Sequence, residues 1–244
     1  MPVNTQLSLL IASTSKVHGM GYLEYARDII MDHFSHSANV LFIPFARPDG
    51  MSHDDYTEVA RSFFKSLGKG LRGAHEFDTA HAALDWCDGI FTGGGNTFVL
   101  VTELYNRGYM DALPTRVRSG LPYMGTSAGS NVTGLSMMTT NDMPIMYPPS
   151  FITFGLVPFN INPHYLDPDP GSTHMGETRE TRIREFHAFN ATPVVGLREG
   201  SCIWVRNGQA TLTGQHRMRL FEQGKEAREV EAGADLNFLF DNTL

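Results

Sequence analysis

Cysteine is scarce in this chain of 244 residues: only Cys87 and Cys202 occur, each in an apolar stretch and without CxxC spacing. That argues against a disulfide framework and a thiolate zinc site, suits a reducing compartment, and predicts two buried thiols. No run of about eighteen apolar residues is present, so no membrane-spanning helix is expected. The first residues lack the basic start and cleavage region of a secretory signal, and a soluble, cytoplasmic protein is expected. Lysine and arginine, 19 against 26 acidic residues for a formal net charge of −7, nowhere cluster beyond a scattered pair, which argues against nucleic acid or an anionic membrane as a partner. Nucleotide signatures are missing too. There is no Gly-Lys-Ser/Thr and no Gly-x-Gly-x-x-Gly with an acidic residue about twenty positions on, and the zinc-protease string His-Glu-x-x-His does not occur. His164, Asp167 and Asp169 are close in sequence, but the intervening prolines make a turn the simpler reading; neither metal nor cofactor is expected. With no repeat or interdomain linker, and an apolar fraction of 41%, residues 1–244 are read as a single domain.

What is present is an alternation of short apolar runs with helical patterns. Residues 6–13, 39–45, 89–92 and 121–126 read as buried strands, and 75–77 as a short one. Helical spacing predicts helices over 20–34, 54–67, 82–87 and 97–106, the second carrying Tyr56, Val59, Phe63 and Leu67 as one stripe before Gly68. Strands and helices so interleaved predict an α/β fold with a mostly parallel sheet flanked by helices and a site at the carboxyl ends of the strands. Residues 137–149, rich in Met, Thr, Asn, Pro and Tyr, read as a long loop or edge structure over that site. A helix is expected over 178–189. Strands at 193–197 and 201–205, the second followed by Asn207-Gly208, predict an antiparallel C-terminal third with a type I′ hairpin, and residues 222–235 read as a polar surface loop.

Ser127 stands at the centre of Gly125-Thr-Ser-Ala-Gly129, a Gly-x-Ser-x-Gly pattern after an apolar run. Such a pattern marks a sharp strand-to-helix turn that exposes a serine hydroxyl, although an isolated match is as compatible with an ordinary turn. The backbone N–H of Ala128 is then a candidate oxyanion donor. A second glycine-rich turn, Gly93-Gly-Gly-Asn-Thr-Phe98, offers further N–H groups at Gly94 and Gly95. With a serine elbow one unit later, an oxyanion loop is preferred over a plain turn.

A nucleophilic serine needs a base, and His164, in Asn160-Ile-Asn-Pro-His-Tyr-Leu-Asp-Pro-Asp169, is the most constrained of ten histidines. His174 and His187 are weaker candidates, and His18, His33, His36, His53, His75, His81 and His216 read as surface or helix-end residues. A carboxylate must fix the base's tautomer. Asp142, between serine and histidine in the chain, and Glu199, just past a buried strand, both qualify.

Together, Gly93-Gly-Gly-Asn-Thr-Phe98, Gly125-Thr-Ser-Ala-Gly129, Thr139-Thr-Asn-Asp-Met-Pro-Ile145, Ile161-Asn-Pro-His164, Gly176-Glu-Thr-Arg-Glu180 and Gly196-Leu-Arg-Glu-Gly200 resemble, in content and order, the peptidase E family of α-aspartyl dipeptidases, across nearly the whole chain. The resemblance implies a glutamine-amidotransferase-like (flavodoxin-like) α/β fold, related to cyanophycinase, and a cytoplasmic serine peptidase, monomer or homodimer, that cleaves Asp-X dipeptides after the N-terminal aspartate. It implies Ser127 as nucleophile and His164 as base. Asp142 or Glu199 matches the family's acid, Glu199 being preferred as orienter and Asp142 as a residue near the substrate amine. It also implies Arg179 as the partner of the aspartyl carboxylate, since arginine meets a carboxylate with two prongs, and Glu177 and Asn96 as further substrate contacts. Without the resemblance, Arg179 reads as a solvated helix arginine. Two rivals remain: an α/β-hydrolase esterase, against which Asp142 follows Ser127 too closely, and a non-catalytic binding module on the same scaffold.

Overall fold

The structure is a computed structural model that describes residues 3–168, 171, 173 and 176–241. In chain order the elements are β1 (Leu9–Ala12), α1 (Arg27–His33), β2 (Asn39–Ile43), α2 (His53–Ser66), β3 (Gly70–Gly73), α3 (Ala80–Trp86), β4 (Gly89–Thr92), α4 (Thr97–Asn106), α5 (Tyr109–Arg118), β5 (Tyr123–Thr126) and α6 (Ala128–Asn131). They continue with β6 (Asn160–Pro163), α7 (Arg179–Phe186), β7 (Val194–Leu197), β8 (Ser201–Arg206), β9 (Gln209–Gly214), β10 (Met218–Phe221), β11 (Arg228–Val230) and α8 (Phe238–Asp241).

Among the described residues the strands form two sheets. The larger has the order β3-β2-β4-β5-β1-β8-β9; β3, β2, β4, β5 and β1 run parallel, and β8 and β9 add an antiparallel edge. Alternation along each strand sends side chains to both faces. Leu10, Val40, Phe42, Phe91 and Met124 pack on one side with Ile30 of α1 and with Tyr56, Ala60 and Phe64 of α2. Leu9, Ile11, Leu41, Ile43 and Ile90 pack on the other with residues of α3, α4 and α5. A phenylalanine buried like Phe42 contributes about 1.5–3 kcal/mol through the area removed from water. The expected mostly parallel sheet with helices on both faces is therefore observed.

The smaller sheet, β11-β10-β7-β6, corrects the expectation of a wholly antiparallel C-terminal third. β6 and β7 are parallel, and 160–163, expected as loop, is a strand because its neighbour satisfies its backbone. Ile161, Val195, Leu197 and Leu220 of this sheet join the same buried cluster as Leu9 and Ile11. The hairpin between β8 and β9 is as expected: Asn207 (φ 51°) and Gly208 (φ 75°) both take the left-handed conformation of a type I′ turn.

Other expectations are corrected. The strand expected at 75–77 lies earlier, as β3, and 74–76 is a 3₁₀ turn. In α2 the buried face is Tyr56, Thr57, Ala60, Phe63 and Phe64; Val59 is exposed, since a helix that starts at the Ser52 cap turns position 59 outward. Part of the loop expected over 222–235 is β11. His33, expected at the surface or a helix end, is the last residue of α1, as expected, but is buried rather than exposed. Both cysteines are buried free thiols, as expected.

Candidate active site

The site lies where β1, β4, β5, β6 and β7 end. Ser127 follows β5 directly with φ 53° and ψ −114°, a strained backbone for a residue with a side chain and the geometry of a nucleophile elbow. The flanking glycines are forced by packing. A Cβ on Gly125 would run into the carbonyl of Gly129, and one on Gly129 into that of Thr92. The single hydroxyl hydrogen of Ser130 is shared between the carbonyls of Ala12 (2.6 Å) and Gly125 (2.8 Å), and the Tyr123 hydroxyl donates to Gly129 O (2.7 Å), which locks the turn.

His164 is the first residue after β6 and Glu199 the second after β7. Because Pro163 pairs with Leu197 in parallel register, the two side chains leave adjacent strand ends together. Nδ1 of His164 lies 2.6 Å from Glu199 Oε1 and Nε2 lies 2.9 Å from Ser127 Oγ. A carboxylate only accepts, so it selects the tautomer with hydrogen on Nδ1, and Nε2 is then free to accept from the serine hydroxyl.

Two residues that sequence reasoning missed join serine to histidine across the sheets. Asn131, buried at the end of α6, donates from Nδ2 to Ile161 O of β6 at 2.7 Å. Ser13, just past β1, donates to Leu197 O (2.7 Å) and accepts the N–H of His164 (2.9 Å). That bond helps hold His164 at φ 53°. A polar residue at either position is unremarkable in sequence; only its burial reveals the role.

Asp142 binds elsewhere. Its Oδ2 accepts the N–H (2.7 Å) and hydroxyl (2.6 Å) of Thr97 and the hydroxyl of Thr140 (3.0 Å), at the N-terminus of α4, where an anion is favoured. The carboxylate on the histidine is that of Glu199. Gly94 lies against Ser127, and its N–H donates to the Tyr56 hydroxyl at 3.0 Å. Gly95 has φ 148°, and a Cβ there would meet the Ala46 carbonyl. Asn96 caps α4 through Oδ1, to Val99 N at 3.2 Å, while its Nδ2 holds Met143 O at 2.9 Å. Ala128 opens α6, where the helical ladder offers its N–H no carbonyl.

The loop over 137–150 is tied to this end of the fold by that Asn96 bond, by Asn141 Nδ2 to Pro163 O (2.7 Å), and by Asn162 Nδ2 to Thr139 O (2.9 Å). Arg179 opens α7 half-buried and makes no side-chain ion pair or hydrogen bond among the described residues. Burial, then the neighbouring Arg182, holds its guanidinium below the usual arginine range, while the Asp142 and Glu199 carboxylates pull the other way. Glu177 faces Arg182 at 3.8 Å. Asp167 is a partner of Arg198; Asp169 and His174 lie outside the described residues. His187 sits at the end of α7, its Nδ1 bonded to Asn190 O at 3.0 Å.

The chain that carries this site has relatives. The family model of peptidase family S51 matches residues 9–213. A peptidase E of Streptomyces coelicolor is 51% identical over 235 residues, covering 96% of each chain. A Drosophila melanogaster protein named "Probable alpha-aspartyl dipeptidase" is 48% identical over 236 residues, covering 95% of this chain and 97% of its own. Among solved structures, a peptidase from an acI-B1 actinobacterium superposes with a TM-score of 0.68 at 15% identity, covering 96% of this chain and 98% of its own, a likeness of fold. With the elbow, the loops and the strand ends of the site all inside the matched span, the chain belongs to peptidase family S51.

Proposed function

We propose that this protein is a serine dipeptidase that hydrolyses Asp-X dipeptides after the N-terminal aspartate. The observation that carries the reading is the continuous hydrogen-bonded chain from Ser127 Oγ through His164 to Glu199. His164 takes the hydroxyl proton as Ser127 attacks the carbonyl after the aspartate. Glu199 holds the imidazole and stabilises the imidazolium that forms. The same proton passes from His164 to the leaving amine, the second residue departs, and water, activated by His164, releases aspartate from the acyl-enzyme.

The oxyanion is assigned to the N–H groups of Gly95 and Ala128, each such donor being worth about 3–4 kcal/mol in well-studied hydrolases. Gly94, with its N–H given to Tyr56, instead supplies room beside the serine. Asp142 is assigned to the substrate's ammonium: its hydrogen bonds from the protein converge on Oδ2, which leaves Oδ1 for a cation. Arg179, half-buried and without an ion-pair partner among the described residues, is assigned to the aspartyl side chain, for which its fork is the matching shape. Asn96 supports the site by capping α4 rather than by touching substrate. Residues 1–244 act as one domain in this reading, supported by the buried cluster shared between the two sheets.

The test is release of free aspartate from Asp-Leu, with Glu-Leu, Ala-Leu and N-acetyl-Asp-Leu alongside, using wild type and Ser127→Ala. Cleavage confined to Asp-Leu and abolished by the substitution is expected. Hydrolysis that persists in a folded Ser127→Ala protein would end the proposal.

A further inference from the structure

Arg198 stands immediately before Glu199, and its side chain is only 14% exposed. Its five N–H donors make five hydrogen bonds. Nε and Nη2 hold the two oxygens of Asp167 at 2.9 and 2.7 Å. Nη1 and Nη2 hold those of Glu229 at 2.8 and 2.9 Å, and Nη1 also reaches Arg217 O at 2.7 Å. Asp167 lies three residues after His164, in the turn that leaves β6; Glu229 lies on β11. Glu229 is itself anchored by Arg219 of β10 at 3.0 Å.

An exposed ion pair contributes little, but this one is a doubly bidentate fork on a largely buried arginine, the geometry in which such pairs are strong and directional. Arg198 holds the Asp167 carboxyl below its ordinary range. At Glu229 the bonds from Arg198 and Arg219 outweigh the upward push of burial. Both shifts favour the charged carboxylates that the arginine fork grips. Backbone contacts point the same way: Tyr165 N–H donates to Leu197 O at 3.1 Å, and the Tyr165 ring occupies the space a Cβ on Gly196 would need. The turn bearing His164 is thus fastened to the strand end bearing Glu199 by side-chain and backbone contacts together.

We propose that Arg198 is a positioning residue, which ties the His164 turn, through Asp167, to the β10–β11 ribbon, through Glu229, and so sets the separation of His164 from Glu199. It touches neither substrate nor the reacting atoms. The proposal rests on the reading of Ser127, His164 and Glu199 as the catalytic chain. Its effect belongs in kcat, because an error of about 1 Å in such a chain is enough for a hundredfold loss.

The experiment measures kcat and KM on Asp-Leu for Arg198→Met, Arg198→Lys, Asp167→Asn, Glu199→Gln and the double variant Arg198→Met/Glu199→Gln, each checked for folding by circular dichroism. Arg198→Met is expected to lower kcat tenfold or more with KM within threefold of wild type. Arg198→Lys, which keeps the charge but cannot grip both carboxylates, should recover part of that loss. In the Glu199→Gln background, Arg198→Met should lower kcat by less than threefold further, because its target is already gone. A folded Arg198→Met protein with kcat within twofold of wild type overturns the proposal, as does a full tenfold loss repeated in the Glu199→Gln background, the mark of a merely structural role. Should Arg198→Met not fold, Asp167→Asn decides: it leaves the Glu229 pair intact and is expected to lower kcat at least threefold, and no change overturns the proposal. Full activity in Glu199→Gln alone would instead refute the catalytic chain on which the proposal stands.

Discussion

Gly94 and Ser127 approach so closely that a Cβ on the glycine would stand 2.8 Å from the Cβ of the serine and 3.2 Å from the Thr126 carbonyl. Neither neighbour is the free end of a flexible chain; both belong to the elbow. Gly94→Ala must therefore move the serine or the loop that faces it. The expected outcome is a folded protein whose kcat/KM on Asp-Leu falls by about a hundredfold, the scale of a 1 Å misplacement, while urea unfolding shows a loss of about 1–3 kcal/mol, as for other overpacked sites.

Glu199 and Asp142 are separable by kinetics. Glu199→Gln keeps the shape of the side chain but no longer enforces the tautomer that lets His164 accept from Ser127, and kcat is expected to fall by about 10²–10⁴, the upper figure being that for the corresponding change in a serine protease. Asp142→Asn leaves that chain intact. It should act on Asp-Leu mainly through KM, and should narrow the preference for Asp-Leu over N-acetyl-Asp-Leu, measured as the ratio of their kcat/KM values. Equal kcat losses in the two variants would contradict this division.

Arg179→Lys preserves the charge and discards the fork. If a two-pronged contact selects the aspartyl side chain, the lysine variant should lose about 1–3 kcal/mol of transition-state binding, roughly 5- to 160-fold in kcat/KM on Asp-Leu, with far less change on Ala-Leu. An unchanged Asp-Leu to Ala-Leu ratio would remove Arg179 from the recognition of substrate.

His33 predicts a pH dependence of stability unrelated to catalysis. Its Nε2–H donates to Tyr123 O at 3.1 Å and its Nδ1 accepts the indole N–H of Trp204 at 3.2 Å, a neutral tautomer with both nitrogens used. Burial pushes its pKa down to about 4 from an ordinary 6.5. The unfolded chain therefore binds a proton that the folded one refuses between those values. The contribution is fully present above about pH 6.5 and is lost as pH falls from there toward 4, on the order of 3 kcal/mol in all. His33→Gln, which can donate and accept at the same two partners, should flatten that part of the unfolding free energy against pH.

The parallel sheet was legible because buried runs such as 89–92 and glycine-rich turns at their carboxyl ends are local signals. The second sheet was not. The strand Asn160–Pro163 contains a proline and two asparagines, which read as loop until Val194–Leu197 lies beside it. α5 escaped notice because Pro114 falls inside it, and packing of Leu113 and Val117 outweighs the missing hydrogen bond. Ser127 and His164 are legible as candidates from pattern, but the choice between Asp142 and Glu199 turns on which strand is β6's neighbour, a long-range fact. Asn131 and Ser13 carry no pattern at all, since a buried polar side chain is defined only by what surrounds it.

The serine comes from the seven-stranded sheet and the histidine and glutamate from the four-stranded one, so the active unit is divided along the seam where the sheets meet. Each half is held within one sheet: one elbow, bonded through Ser130, and one pair of neighbouring strand ends, paired in parallel register. Heating or denaturant that lets one sheet slip on the other would disconnect the hydroxyl from its base while both halves keep their secondary structure. Loss of turnover would then precede loss of ellipticity, and substitutions that loosen the Asn131 and Ser13 ties would widen the interval between the two.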